Sequence, residues 1–205
     1  IVAKVDEKMQ PVSGTEFAID CDTVLLSVGL IPERTLINNL PLSFDGITGG
    51  PMVDQHRETQ LPGFFAVGNV AHVHDVVDYV AEEAGVAGKY AALQVQQGMH
   101  AGRKILVKCG EGIRICVPQF LVWKEPENVK FYIRVMQVVR DRHLLISSGG
   151  KILWDQYLMV ARPSEMLNVE VPADCMENLE NENVHKSYFQ HPFANWGPKE
   201  KAKIN

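Results

Sequence analysis

The chain has 205 residues, 46% of them hydrophobic, with 16 glycines, 11 prolines and a formal net charge of -5. That composition supports one substantial core or two small ones and excludes a disordered protein. The acidic balance gives no broad basic field for nucleic acid, no apolar run reaches membrane-span length and no signal peptide opens the chain, so a cytoplasmic protein without nucleic-acid or membrane contacts is expected.

Ile1-Val2-Ala3-Lys4-Val5, a turn at Pro11 to Thr15 and Phe17-Ala18-Ile19 read as a strand pair of the kind that hangs on a larger sheet. Cys21-Asp22-Thr23-Val24-Leu25-Leu26-Ser27-Val28-Gly29-Leu30-Ile31-Pro32-Glu33 reads as a buried strand closed by glycine and proline, with Cys21 a small core residue beside it. Gly49-Gly50-Pro51-Met52-Val53-Asp54 follows, and Arg57-Glu58 reads as surface charge. Leu61-Pro62-Gly63 then punctuates, and Phe64 to Val67 suits a short strand. Gly68 lets a ligand approach where a side chain would collide, and Asn69 offers an amide at the strand's carboxyl end. Ordinary strand-to-helix turns use the same residues. In an open α/β sheet, though, this is where ligands bind, next to the free N–H groups of the following helix.

That helix is predicted from Val76 to Gln97, with Asp75 as its cap. Its small residues Ala81, Ala84, Gly85, Gly88, Ala91 and Ala92 predict a face that lies close against a sheet. Beyond Gly98 and Gly102 the pattern turns to alternating strands at 113–117, 130–135 and 167–171, with a hairpin at 144–154 around a turn at 147–150. A small antiparallel sandwich or barrel is expected there, without a catalytic cluster. Residues 176–183 read as a polar linker. Four aromatics within Tyr188 to Trp196 predict packing on the body or on a partner, ahead of a basic, frayed end.

His72 and His74 sit two positions apart, which in an extended segment sends them to opposite sides, and no third ligand stands near in sequence; no metal site is predicted. Cys21, Cys109, Cys116 and Cys175 form no CxxC pair, so neither a zinc knuckle nor a dithiol redox centre is indicated.

The succession of segments at 21–33, 49–54 and 59–69 resembles the carboxyl-terminal part of the thioredoxin-reductase-like pyridine nucleotide-disulfide oxidoreductases, flavoproteins with two dinucleotide-binding domains. In that family the first segment ends the NAD(P)H-binding domain and the last supplies the final strand of the FAD domain. Where the family has Gly-Asp, whose aspartate bonds a ribityl hydroxyl of FAD, this chain has Gly68-Asn69; an amide also makes that bond. The run Val70 to Asp78 looks closest to flavoprotein subunits that accompany glycerol-3-phosphate, opine or hydroxyproline oxidation.

The resemblance implies that backbone N–H groups at Val77 and Asp78 point at the flavin's pyrimidine edge, and that His74 stabilises the anionic reduced ring or relays a proton. It also implies that the glycine-rich fingerprints, absent here, lie ahead of Ile1, making this a carboxyl-terminal piece without the disulfide of many relatives.

The expected class is therefore α/β: part of an FAD/NAD(P)-binding Rossmann-like domain over residues 1–105, then a small all-β sandwich-like domain over 106–172 and a linker with an aromatic tail over 173–205. The implied activity is FAD-dependent oxidoreduction fed by NAD(P)H, with no residue assigned to catalysis. Its implied partners are the missing amino-terminal portion and either an oxidase subunit or a second copy of the chain. The alternative is a non-catalytic interaction and assembly module that binds no cofactor by itself.

Overall fold

The computed structural model describes all residues except 9, 28, 99–101, 125, 180–186 and 189–205. The described residues of 1–48 form isolated β-bridges, such as Val2 with Phe17 and Val5 with Pro11, rather than extended strands. A 3₁₀ turn at Gly68–Val70 leads to α1 (Val77–Gln97). Seven strands follow: β1 (Arg103–Lys108), β2 (Ile113–Val117), β3 (Phe120–Trp123), β4 (Val129–Val135), β5 (Val139–Ser148), β6 (Lys151–Ala161) and β7 (Leu167–Val171). The short helix α2 (Ala173–Met176) and the two-residue β8 (Ser187–Tyr188) complete the described elements.

The strands form a five-stranded sheet in the order β3-β1-β8-β5-β6 and a three-stranded sheet in the order β2-β4-β7. All pairings are antiparallel except the two-residue contact of β1 with β8. Alternation drives this. Phe131, Ile133 and Val135 of β4 send their side chains to one face, where they meet Leu144 and Ile146 of β5 and Val169 and Val171 of β7 in one core. Each such side chain contributes about 1.5–3 kcal/mol on leaving water. The β5–β6 hairpin turns on Gly149 and Gly150 at φ 54 and 84, values that a two-residue turn between twisted strands requires.

The opposite face of β4 is also covered. Tyr132 joins Val117, Met166, Val53, Ala66 and Ala71 in a second buried cluster, which joins the segment 53–71 to the three-stranded sheet. Gln119 reinforces this junction: its N–H donates to the Val53 carbonyl at 3.1 Å, and its Oε1 accepts from the Val53 N–H at 3.0 Å.

No Rossmann-like α/β arrangement forms among the described residues, which corrects the expected fold class. A parallel sheet needs strand–helix–strand crossovers, but residues 64–67 contribute only the bridge of Phe65 with Glu58, and 21–31 contribute none. The presumed buried strand instead lies open, with Leu25 at 90% and Leu26 at 82% exposure, and Cys21 is exposed as well. Among the described residues, no strand pairs with it on either side.

The polar linker expected from Met176 begins differently too. Met176 of α2 and Leu179 of the 3₁₀ turn that follows it are buried in the main core. The aromatic run beyond Tyr188 and the basic end lie outside the described residues. Among the described residues, no helix is long and apolar enough to cross a membrane.

Candidate functional site

The segment from Val53 to Thr59 looks like an exposed loop by composition, yet Asp54, Gln55, His56, Arg57, Glu58 and Thr59 are all buried. Asp54 makes this turn. Its Oδ1 accepts from the N–H groups of His56 at 2.8 Å and Glu58 at 2.9 Å, while the Arg57 N–H donates to its carbonyl at 3.0 Å. Burial pushes the Asp54 carboxyl up to about 6, against the opposing pull of His56. The turn holds Arg57 at φ 69, in the left-handed region that residues other than glycine seldom enter. Such strain persists only where surrounding contacts over-determine the backbone.

The Arg57 guanidinium provides those contacts. Its Nε lies 2.9 Å from Glu83 Oε1, and its carbon sits 5.2 Å from the centre of the Tyr132 ring. Glu83, on α1, has no exposed surface. His72 Nε2 lies 3.0 Å from Glu83 Oε1; His74 Nε2, at 2.7 Å, and the Gly68 N–H, at 3.1 Å, meet Oε2. Because an ionised carboxylate only accepts, both imidazoles donate to Glu83 from Nε2; neither Nδ1 has a hydrogen-bond partner.

Burial alone would raise the Glu83 carboxyl, but hydrogen bonds from His72 and His74 and the Arg57 charge outweigh it and hold it far below the usual carboxylate range. His72 is pushed down by burial, with Glu83 opposing, and so is neutral near pH 7. The Tyr132 hydroxyl is raised by burial and by the Glu83 charge.

By distance, His72, His74 and Glu83 are a group that could hold a cation. The sequence argument that the two histidines diverge is corrected here: the turn after Val70 brings their ring centres to 4.1 Å. Two features nonetheless describe a hydrogen-bonded carboxylate. The nitrogen–oxygen separations of 2.7 and 3.0 Å are those of hydrogen bonds, and Arg57 already neutralises Glu83. A divalent ion added there would leave a net positive charge in a buried site.

A second polar contact lies further along α1. Glu127 accepts from Gln55 Nε2 at 2.7 Å, meets His56 Nε2 at 3.0 Å and accepts from the Tyr90 hydroxyl at 3.2 Å, with the His56 and Tyr90 rings stacked at 3.6 Å. Burial, then Glu127, pushes the Tyr90 phenol up to about 12. Gln94 adds a bond to Glu58 at 2.8 Å. Tyr79, Glu83, Ala87, Tyr90 and Gln94 thus form the inward stripe of α1, at helical spacing.

The predicted packing face is the wrong one. Ala81, Ala84, Gly85, Gly88 and Ala92 face solvent, and a side-chain carbon added at Gly85 or Gly88 would meet nothing within 4 Å. Polar side chains with specific partners on β4 and the 53–59 turn win the interior, because turning Glu83 out to water would leave the Arg57 charge buried without its partner.

The expected cofactor residues divide accordingly. Gly68 is buried at φ 65, and a side-chain carbon there would come within 2.8 Å of Val80 Cγ1, so packing of the turn on α1 already requires glycine. Asn69 is exposed, and its Oδ1 accepts from the His74 N–H at 3.2 Å. His74 turns its imidazole inward to Glu83, away from any ligand on the outside. Val77 and Asp78 are exposed at the start of α1, and the residue before them, Val76, makes no side-chain cap.

Asp75 does not cap the helix either: it pairs with Arg134 and accepts from the Met166 N–H at 2.6 Å, fixing the helix entry to β4 and the loop before β7. Arg57, Glu83, Tyr132 and Glu127 were missed by sequence reasoning, and Arg57-Glu58 is buried where surface charge was expected. A sequence signal that points to this seam is the helical spacing of Tyr79, Glu83 and Tyr90, on the face of α1 opposite to the small residues.

Comparison of the chain with protein-family models, curated proteins and solved structures found no match.

Proposed function

We propose that this chain is the carboxyl-terminal part of an FAD-dependent oxidoreductase in which NAD(P)H reduces the flavin. The Asn69 turn and the first residues of α1 form one wall of the flavin site. One observation carries the reading: an uncapped start of a 21-residue helix stands open at Val77 and Asp78, eight residues beyond the exposed Asn69, on backbone anchored from inside by Glu83 and Asp75. Free N–H groups and the helix dipole at such a place favour the negative charge that develops at a reduced flavin's N1/C2 oxygen region. Asn69 serves a ribityl hydroxyl, and Gly68 and His74 position the turn rather than touch the cofactor.

The crevice beside this segment, lined by Val73, Ile115 and Arg134 among others, measures about 180 Å³. Small-molecule sites span roughly 300–1,000 Å³, so this reading assigns the remaining wall to the portion ahead of Ile1. The resemblance of residues 70–78 is to flavoprotein subunits that accompany glycerol-3-phosphate, opine or hydroxyproline oxidation, and this reading links the chain to such systems without naming its substrate.

The test is to express the chain together with the sequence encoded ahead of Ile1. A yellow protein that NADH or NADPH bleaches, and that loses FAD more readily as Asn69→Leu, supports the reading; a colourless protein after FAD addition overturns it. A second reading, a non-catalytic assembly module, draws on the open apolar run with Leu25, Leu26 and Ile31 at 82–90% exposure. It gains if the extended protein never takes up FAD yet forms a stable oligomer by light scattering.

A further inference from the structure

The turn from Gly68 to His74 is fastened to α1 through one carboxylate. The Gly68 N–H and the His74 imidazole meet Glu83 Oε2, and the His72 imidazole meets Oε1. Inside the turn, the N–H groups of Ala71 and His72 both donate to the Gly68 carbonyl, at 2.9 and 3.0 Å.

The His72 ring is buried, and charged or titratable groups face it from each neighbouring element: Glu83 from α1, Tyr132 from β4 with ring centres 5.5 Å apart, and His74 from the same turn. Arg57, on the 53–59 turn, shares Glu83 Oε1 with it. The Nε2 of His72 is spent on Glu83, and its Nδ1 is closed to solvent without a hydrogen-bond partner among the described residues.

An imidazolium carries two N–H groups and needs an acceptor for each. The closed turn supplies one. A second proton on His72 therefore buries an unmet donor and sets a new positive charge beside Arg57, whose own charge Glu83 already balances. Swung out into water, the ring meets neither cost. Burial holds the His72 imidazole below 6.5, in keeping with that geometry.

We propose that the Gly68–His74 turn is an acid-released latch, closed on Glu83 while His72 is neutral and opened locally when His72 takes up a proton, with β4 and its apolar core left in place. Asn69 rides on the same turn, so opening also shifts that side chain. The latch is independent of the flavin reading, because its closing contacts are all made within this chain.

The test follows amide hydrogen exchange by NMR on the full chain from pH 7.5 to pH 5, with rates corrected for intrinsic exchange. Protection at Gly68, Ala71 and His72 is expected to fall about 10-fold for each pH unit below 6.5 until the folded value of His72 is reached, the slope of one proton taken up on opening, while the β4 amides keep theirs. His72→Gln, whose side-chain amide still donates to Glu83 but takes no proton, should abolish that fall. The nitrogen shifts of the His72 ring in the parent chain decide the matter if the variant fails to fold: ring protonation should track the loss of protection. Protection that holds to pH 5, a ring that protonates with the turn still closed, a fall that survives in His72→Gln, or a simultaneous loss at β4 overturns the proposal.

Discussion

β4 has two buried faces that hold by different physics. On one, Phe131, Ile133 and Val135 meet the five-stranded sheet through apolar area alone. On the other, Tyr132 meets Arg57, His72 and His74 around a carboxylate from α1. Area is forgiving, since neighbours of similar shape substitute for one another at modest cost. A charge network is not, because each member removed leaves another buried without its partner.

The largest expected effect separates the two directly. Glu83→Ala leaves Arg57, His72 and His74 facing a void, and a loss of about 3–5 kcal/mol is expected from urea midpoints, with no recovery in Glu83→Leu, which restores volume without charge. Ile133→Ala, on the dry side, should cost about 2–5 kcal/mol, and there Ile133→Leu should recover most of it. If Glu83→Leu recovers as well as Ile133→Leu, the distinction between the faces collapses.

Gly68→Ala comes next, at about 1–3 kcal/mol, because the new carbon meets Val80 and the backbone sits at φ 65. Combining it with Val80→Ala should return part of the loss; an unchanged double mutant would place the whole cost in the backbone.

Acid titration gives a smaller effect, with two opposing signs. His72 has its folded value lowered from 6.5, so its contribution is present above that pH and fades as the solution is acidified through the folded value. Asp54 runs the other way. Its folded value near 6 stands above the ordinary 3.8, so its contribution is complete below about 3.8 and is lost as pH rises through about 6. The stability of the native chain relative to Asp54→Asn should therefore be greater at pH 4 than at pH 7; the reverse order would refute the burial of that carboxyl.

The smallest effect is expected where nothing is packed. Leu26→Ser, at 82% exposure, should stay within about 0.5 kcal/mol of the parent.

The same contrast explains what the sequence could tell. Strands at 113–117, 130–135 and 167–171 and the hairpin around Gly149-Gly150 announce themselves by alternation and turn chemistry, which are local. The helix at Val77–Gln97 does the same through its spacing. Which face it buries does not follow from that spacing, because the alanine and glycine stripe competes with Tyr79, Glu83 and Tyr90, and Glu83 is held inside by Arg57, His72 and His74, which lie outside the helix. Residues 21–31 mislead for the converse reason. Their apolar run promises burial, but burial needs neighbouring strands, and these the described residues do not supply.

α1 therefore resembles a partition shared by two rooms. Its fastenings at Glu83, Tyr90 and Gln94 are driven from one side, and the other side is planed flat with alanine and glycine. A second body could be brought flush against that smooth side, backbone nearly to backbone, without loosening a single fastening.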